Sequence, residues 1–208
     1  MDVSRPNGVM RPARADDLPH FDDVRPAAFA PVLASFRSLL GEDVYELAQA
    51  REDEAQGELL ISLLAPESGW KVYAAEMGGP VVGFVAIQLN HDTPVGETGL
   101  NAVQPDHAGK GVGTIMDDFA IARMKEAGMQ VATVATGGAP SHARARRAYE
   151  KAGFTVQIPS VWLCRNLRSV PSLSAQQGLG ADGPQRMFLG HFLRCVLWAA
   201  AQAWRWAS

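Results

Sequence analysis

A chain of 208 residues, 47% hydrophobic and 20% charged, is long enough to bury one sizeable core and has the make-up of an ordinary globular domain. Its formal charge of −3 supplies no general basic face, which excludes nucleic acid as a bulk partner. Cys164 and Cys195 stand far apart, with no CxxC and no histidine at ligand spacing, so neither a disulfide framework nor a metal site is expected.

The opening MDVSRPNGVMRPARADD has no apolar run after a basic start, so no secretory signal is read there and a cytoplasmic location is expected. Residues 9 to 14 read as a short strand, and Asp16 and Asp17 supply helix-start chemistry ahead of Leu18 and Phe21. Pro26 and Pro31 are expected to break the next stretch into segments, with helix in two pieces from Val32 to about Leu64. The acidic run REDEAQGE between them reads as a solvated helix face. Trp70 to Met77 and Val81 to Leu89 alternate around Gly78-Gly79-Pro80 as a hairpin, and Thr98 to Val103 should lie beside its second strand. Val112, Ile115, Met116, Phe119 and Met124 then recur at helical spacing up to Gly128. Val131 to Thr136 is a short apolar strand, and Ser141 can cap a helix whose one face carries Ala145, Ala148, Tyr149 and Ala152. Phe154 to Val156 and Ser160 to Leu167 read as two closing strands, with Cys164 buried in the second. These elements make a mixed α/β sheet flanked by helices.

Between the strand ending at Val103 and the helix after it lies VQPDHAGKGVGT. Gly109, Gly111 and Gly113 carry no Cβ, so backbone N–H groups at the helix start stand exposed as a cradle for an anion such as a pyrophosphate. A Walker loop is disfavoured, because Val112-Gly113 follows Lys110-Gly111 where Lys-Ser or Lys-Thr would stand. A dinucleotide site is also disfavoured: several strands precede the loop, and no acidic residue closes the following strand VATVAT.

This loop, followed about thirty residues later by HARARRAYEKAGF from His142 to Phe154, resembles the two signature motifs of the GNAT superfamily of acetyl-CoA-dependent N-acetyltransferases. The first is similar to the family's (Q/R)xxGx(G/A) pyrophosphate loop and the second to its NxxAxxxYxxxGF helix. Two positions depart: Ala108 stands where the family usually has Arg or Gln, and His142 where it usually has Asn. Since main-chain N–H groups do most of the phosphate binding, the loss at Ala108 should weaken affinity rather than abolish it. The resemblance covers roughly residues 9 to 168. It implies a mixed, mostly antiparallel GNAT-like sheet, with acetyl-CoA as cosubstrate.

It also implies roles. Ala108, Gly109, Lys110, Gly111, Val112, Gly113 and Thr114 would hold the CoA pyrophosphate, with pantetheine along the strand ending at Val103. A main-chain N–H near Ala102 or Val103 would face the oxyanion, and His142 could keep a hydrogen bond to pantetheine. Tyr149 matches the family tyrosine that often protonates the departing thiolate; packing between helix and sheet is the equal alternative. For a base, strand alternation puts Glu97, Asn101 and Val103 on one face, although a solvated carboxylate is the simpler reading of Glu97. His91 and Asp92 are alternatives in the preceding loop. Arg144, Arg146 and Arg147 could reach the 3′-phosphate, with a solvated face the simpler reading.

The organisation expected is a GNAT-like domain over 1–168, a Ser-, Gly- and Pro-rich linker over 169–186, and an apolar helix over 187–208 holding three of the five tryptophans. Such a helix needs cover, from the domain, from a sister subunit in a homodimer, or from a membrane surface that only 187–208 could approach. The activity implied is acetyl transfer to a primary amine, with a small cationic molecule favoured over a protein. A non-catalytic acyl-CoA-binding module is the alternative.

Overall fold

The computed structural model describes residues 8–168, so the expected linker and apolar C-terminal helix lie outside the described residues. Five strands form one sheet in the order β1-β2-β3-β4-β5: β1 Gly8–Pro12, β2 Trp70–Met77, β3 Val81–Asn90, β4 Val95–Val103 and β5 Val131–Val134. The first four pair antiparallel, and β5 joins β4 in parallel. The hairpin, the neighbouring strand and the strand after the glycine loop are thus found where the sequence placed them.

Helices cover both faces. On one, α1 (Leu18–Leu40) and α4 (Gln56–Leu64) bury Phe21, Val24, Leu60 and Leu63 against Val72, Ala74, Phe84, Ala86 and Ala102. On the other, α5 (Val112–Glu126) buries Val112, Met116, Ala120 and Met124 against Ala75, Val82, Val85 and Ile87. Strand β3 serves both layers, which explains its nearly continuous apolar run VVGFVAI. The second helix motif becomes α6 (Ala143–Lys151), packed on α5.

Three expectations are corrected. Helix α1 runs unbroken through Pro26 and Pro31. Both prolines lie on its exposed side, where the carbonyls they leave unbonded meet water, while Phe21, Val24 and Val32 anchor the buried side. The acidic run is not simply a solvated face. Between α2 (Glu42–Ala48) and α4, Asp53 on α3 (Ala50–Glu54) is buried and accepts hydrogen bonds from Tyr45 Oη at 2.6 Å and Gln49 Nε2 at 2.8 Å. The two closing strands are absent: residues 154–168 carry no strand, and Cys164 is exposed rather than buried. Val156, Ile158, Val161 and Leu163 are all at least 85% exposed. β-branched residues favour a strand only where a neighbour offers ladder bonds and a surface to pack on, and here none is paired.

One irregularity governs the site. Val85 pairs with Asn101 and Ile87 with Thr98, so Gly99 and Leu100 together oppose Ala86 in a bulge of β4. Gly99 is needed there, because a Cβ would run into the Trp70 ring.

Candidate active site

The glycine loop is built as the sequence requires. Gly109 and Gly111 have φ of +79° and +88°, the left-handed region that L side chains rarely adopt. Gly113 has ordinary helical backbone, but a Cβ there would meet nothing within 4 Å, so open space lies over the first turn of α5. The N–H groups of Gly109, Gly111, Val112, Gly113 and Thr114 make no hydrogen bond among the described residues. Five free donors at the positive end of a 15-residue helix fit a pyrophosphate by chemistry and by space. Lys110 is exposed and is the loop's one cation, since Ala108 supplies none.

Beside the loop, β4 and β5 separate. Their pairing ends at Thr98 with Val134, whereas β4 continues alone on that side to Val103. Gln104 N–H donates to the Val82 carbonyl at 2.8 Å, which makes Gly83 and Val103 a pair without direct ladder bonds. The Val103 N–H therefore points away from β3 into the opening, while that of Ala102 turns to β3 and its side chain enters the core at 4% exposure. Of the two residues expected near an oxyanion, Val103 has the usable donor.

Across the same opening stands Tyr149, 8% exposed. Asn101 Nδ2 donates to its Oη at 3.0 Å. Burial pushes the phenol up to about 12; the bond from Asn101 works the other way, and the nearby Asp117 adds to the rise. The tyrosine is thus both a packed residue, edge-on to Phe154, and a hydroxyl aimed at β4.

Glu97 is not where alternation put it. The bulge adds a residue between Glu97 and Asn101, so Glu97 pairs with Gln88 and shares the α1 face with Trp70 and Ala102, opposite to Asn101 and Val103. It is half-buried, and burial raises its carboxyl to about 6. His91 and Asp92 are exposed at the far end of β4 from the glycine loop, which removes them from this site.

His142 is half-buried at the start of α6, with its ring 6.1 Å from Phe36 of α1 and pressed against Gly137, where a Cβ would lie 2.6 Å from Cε1. Burial, then the charge of Arg146, holds its pKa below the usual imidazole value, so it is neutral at pH 7. Arg146 donates to the carbonyls of Gly137 at 2.5 Å and Ala139 at 2.9 Å, tying down the loop before α6, while Arg144 and Arg147 are exposed. Sequence reading missed two features. Gln104 Oε1 and His107 Nδ1 are buried without partners beside the cradle, and Asp117 is buried on α5; the paired acids Asp117-Asp118 next to core-facing Met116 were the only hint.

A helix-start anion cradle thus stands beside an unpaired strand edge, with a tyrosine reaching that edge. The model of the acetyltransferase (GNAT) family matches residues 33–154, and the chain belongs to that family. It is an acyltransferase. No curated protein matches the sequence significantly. Among solved structures, a transcriptional regulator from Bacillus halodurans is similar at TM-score 0.54 and 18% identity, over 76% of this chain and 100% of that one. AAC(6')-Iy in complex with the bisubstrate analogue CoA-S-monomethyl-acetylneamine is similar at TM-score 0.51 and 15% identity, over 77% and 99%. A GNAT family acetyltransferase from Brucella melitensis in complex with acetyl-CoA aligns at TM-score 0.48 and 23% identity, over 66% and 80%.

Proposed function

We propose that the chain transfers the acetyl group of acetyl-CoA to a primary amine of a small cationic molecule, by direct attack within a ternary complex. The observation that carries this reading is the bulged β4, which presents the Val103 N–H and the Asn101–Tyr149 pair at one open edge and Glu97 on the neighbouring face. The cradle of residues 108–114 binds the pyrophosphate. Glu97, ionised above about pH 6, takes a proton from the incoming ammonium. The free amine attacks the thioester carbonyl, and the oxyanion that forms accepts from the Val103 N–H. As the C–S bond breaks, Tyr149 gives its proton to the CoA sulfur, and the attacking nitrogen loses its second proton to water as the amide forms. A carboxylate on the acceptor side favours a cationic amine, and the acetylneamine portion of the analogue bound by AAC(6')-Iy makes neamine a rational first acceptor.

The organisation proposed is a catalytic domain over 1–168, a linker over 169–186 and a helix over 187–208 that covers itself on the domain or on a second copy. Among the described residues no helix is long and apolar enough to cross a membrane. The second reading, an acyl-CoA-binding module without turnover, is favoured by one observation: Ala108 leaves the cradle without its flanking cation.

Calorimetric titration of acetyl-CoA into the full chain, with CoA and NAD as controls, followed by thiol release with a panel of amines, tests both. Saturable acetyl-CoA binding with amine-dependent thiol release supports the transferase. Binding without release across the panel supports the module, and no binding sinks both.

A further inference from the structure

Two side chains in line with Glu97 have no part in the proposed mechanism. Trp70 at the start of β2 pairs with Gln88 of β3, and Gln88 pairs with Glu97 of β4. Residues paired across antiparallel strands share a face, so the three form one row on the α1 side, the side that also carries Val72, Phe84 and Ala102. The Trp70 ring crosses β3 to reach the bulge: a Cβ on Gly99 would lie 2.4 Å from its Cζ3 and 2.6 Å from its Cη2. Gly99 follows Glu97 by two residues on the same strand, so the ring edge lies over the stretch of β4 that carries the carboxylate. Gln88 leans toward the start of β2, with Nε2 3.5 Å from where a Cβ on Gly69 would stand. In a row that served packing alone, the polar atoms would be bonded to one another. Here all three residues are half-buried, their side chains make no hydrogen bond or ion pair among the described residues, and none of their polar atoms is sealed from solvent. The row presents an indole N–H donor, an amide that donates and accepts, and a carboxylate.

We propose that Trp70 and Gln88 bind the acceptor, and that this acceptor is an amine with hydroxyl groups on the carbons near its nitrogen. The inference rests on the acetyl-transfer reading, in which Glu97 meets the incoming ammonium. With the ammonium there, the neighbouring atoms of the acceptor lie over Gln88 and the Trp70 ring. The outer strands of the row are two strand spacings apart, about 10 Å, which is room for one six-membered ring with its substituents. A plain alkylammonium would set C–H groups against the Gln88 amide and the Trp70 N–H, and both would lose the bonds they had to water. Hydroxyl groups keep those bonds: they accept from Trp70 Nε1 and Gln88 Nε2 and donate to Gln88 Oε1, while the C–H surface between them packs on the indole.

The test compares two amines of one ring size, glucosamine and cyclohexylamine, as acceptors for the full chain, read by thiol release at saturating acetyl-CoA. Glucosamine should have the higher kcat/KM, by at least about tenfold. Trp70→Phe keeps an aromatic body over Gly99 and removes the N–H, and Gln88→Leu keeps the bulk and removes the amide. Each should raise KM for glucosamine about fivefold, with kcat, the calorimetric affinity for acetyl-CoA and the rate with cyclohexylamine unchanged. Equal kcat/KM for the two amines in the unsubstituted chain, or variants that slow both amines by the same factor, would make the row structural. Release with other amines of the panel but not with glucosamine would also overturn the inference, and each of these results leaves acetyl transfer standing. Thiol release with no amine at all, from a chain that binds acetyl-CoA, overturns the acetyl-transfer reading and the inference with it.

Discussion

On the α5–α6 side of β4, Asn101 is hydrogen-bonded to the buried Tyr149; on the α1–α4 side, Glu97 stands half-buried and pairs with Gln88, which in turn pairs with Trp70. The enclosed side suits a reacting group that always arrives in the same place, such as a thioester held by its own pyrophosphate. The more open side suits an acceptor that differs from one relative to another, because a half-buried carboxylate keeps its charge at neutral pH and needs no fixed partner.

The largest effect should come from the open side. Glu97→Gln is expected to lower kcat about a thousandfold while leaving acetyl-CoA affinity unchanged in calorimetry, and it should abolish the rise in rate through about pH 6. Equal loss of affinity and rate would show that the two sides are one pocket. Tyr149→Phe comes next, at about a hundredfold in kcat with the cofactor still bound; a loss confined to KM would make Tyr149 a packing residue.

The enclosed side can also be separated from function through stability. The folded-state pKa of Asp117 lies above its unfolded value of 3.8, so between about 4 and about 7 the folded chain holds more protons, and stability falls as pH rises through that window. Asp117→Asn should therefore match the unsubstituted chain near pH 4 and exceed it by about 4 kcal/mol at pH 8, read from denaturant melts at both values. Smallest is Gly113→Ala. With ordinary backbone and empty space around it, it should stabilise α5 by up to about 1 kcal/mol and weaken acetyl-CoA binding about tenfold; unchanged affinity would mean that the space over the first turn is not used.

How much of this was readable in the sequence depends on where the information sits. The cradle was legible because left-handed glycines and a helix start are local properties of Gly109, Gly111 and Val112. Tyr149 was legible because its helix carries its own period and stop at Gly153. The side on which Glu97 falls was not, since it depends on the register between β3 and β4, which no window within β4 contains. The run through Pro26 and Pro31 was hidden for a similar reason: only the packing of α1 on the sheet reveals that both prolines face water. At 154–168 the residues promise strands, but a strand is a property of a pair, and none of these residues has one.

The extra residue at Gly99 and Leu100 also divides β4 into two phases for mutational drift. Before it, odd-numbered positions such as Glu97 reach the α1 side; after it, odd-numbered positions such as Asn101 and Val103 reach the α5 side. Substitutions upstream of the bulge can retune what is acetylated without touching what holds the acetyl donor. Deleting the extra residue would restore plain alternation and leave both assignments as they are, so the bulge can be lost from β4 without moving Glu97 to the α5 side.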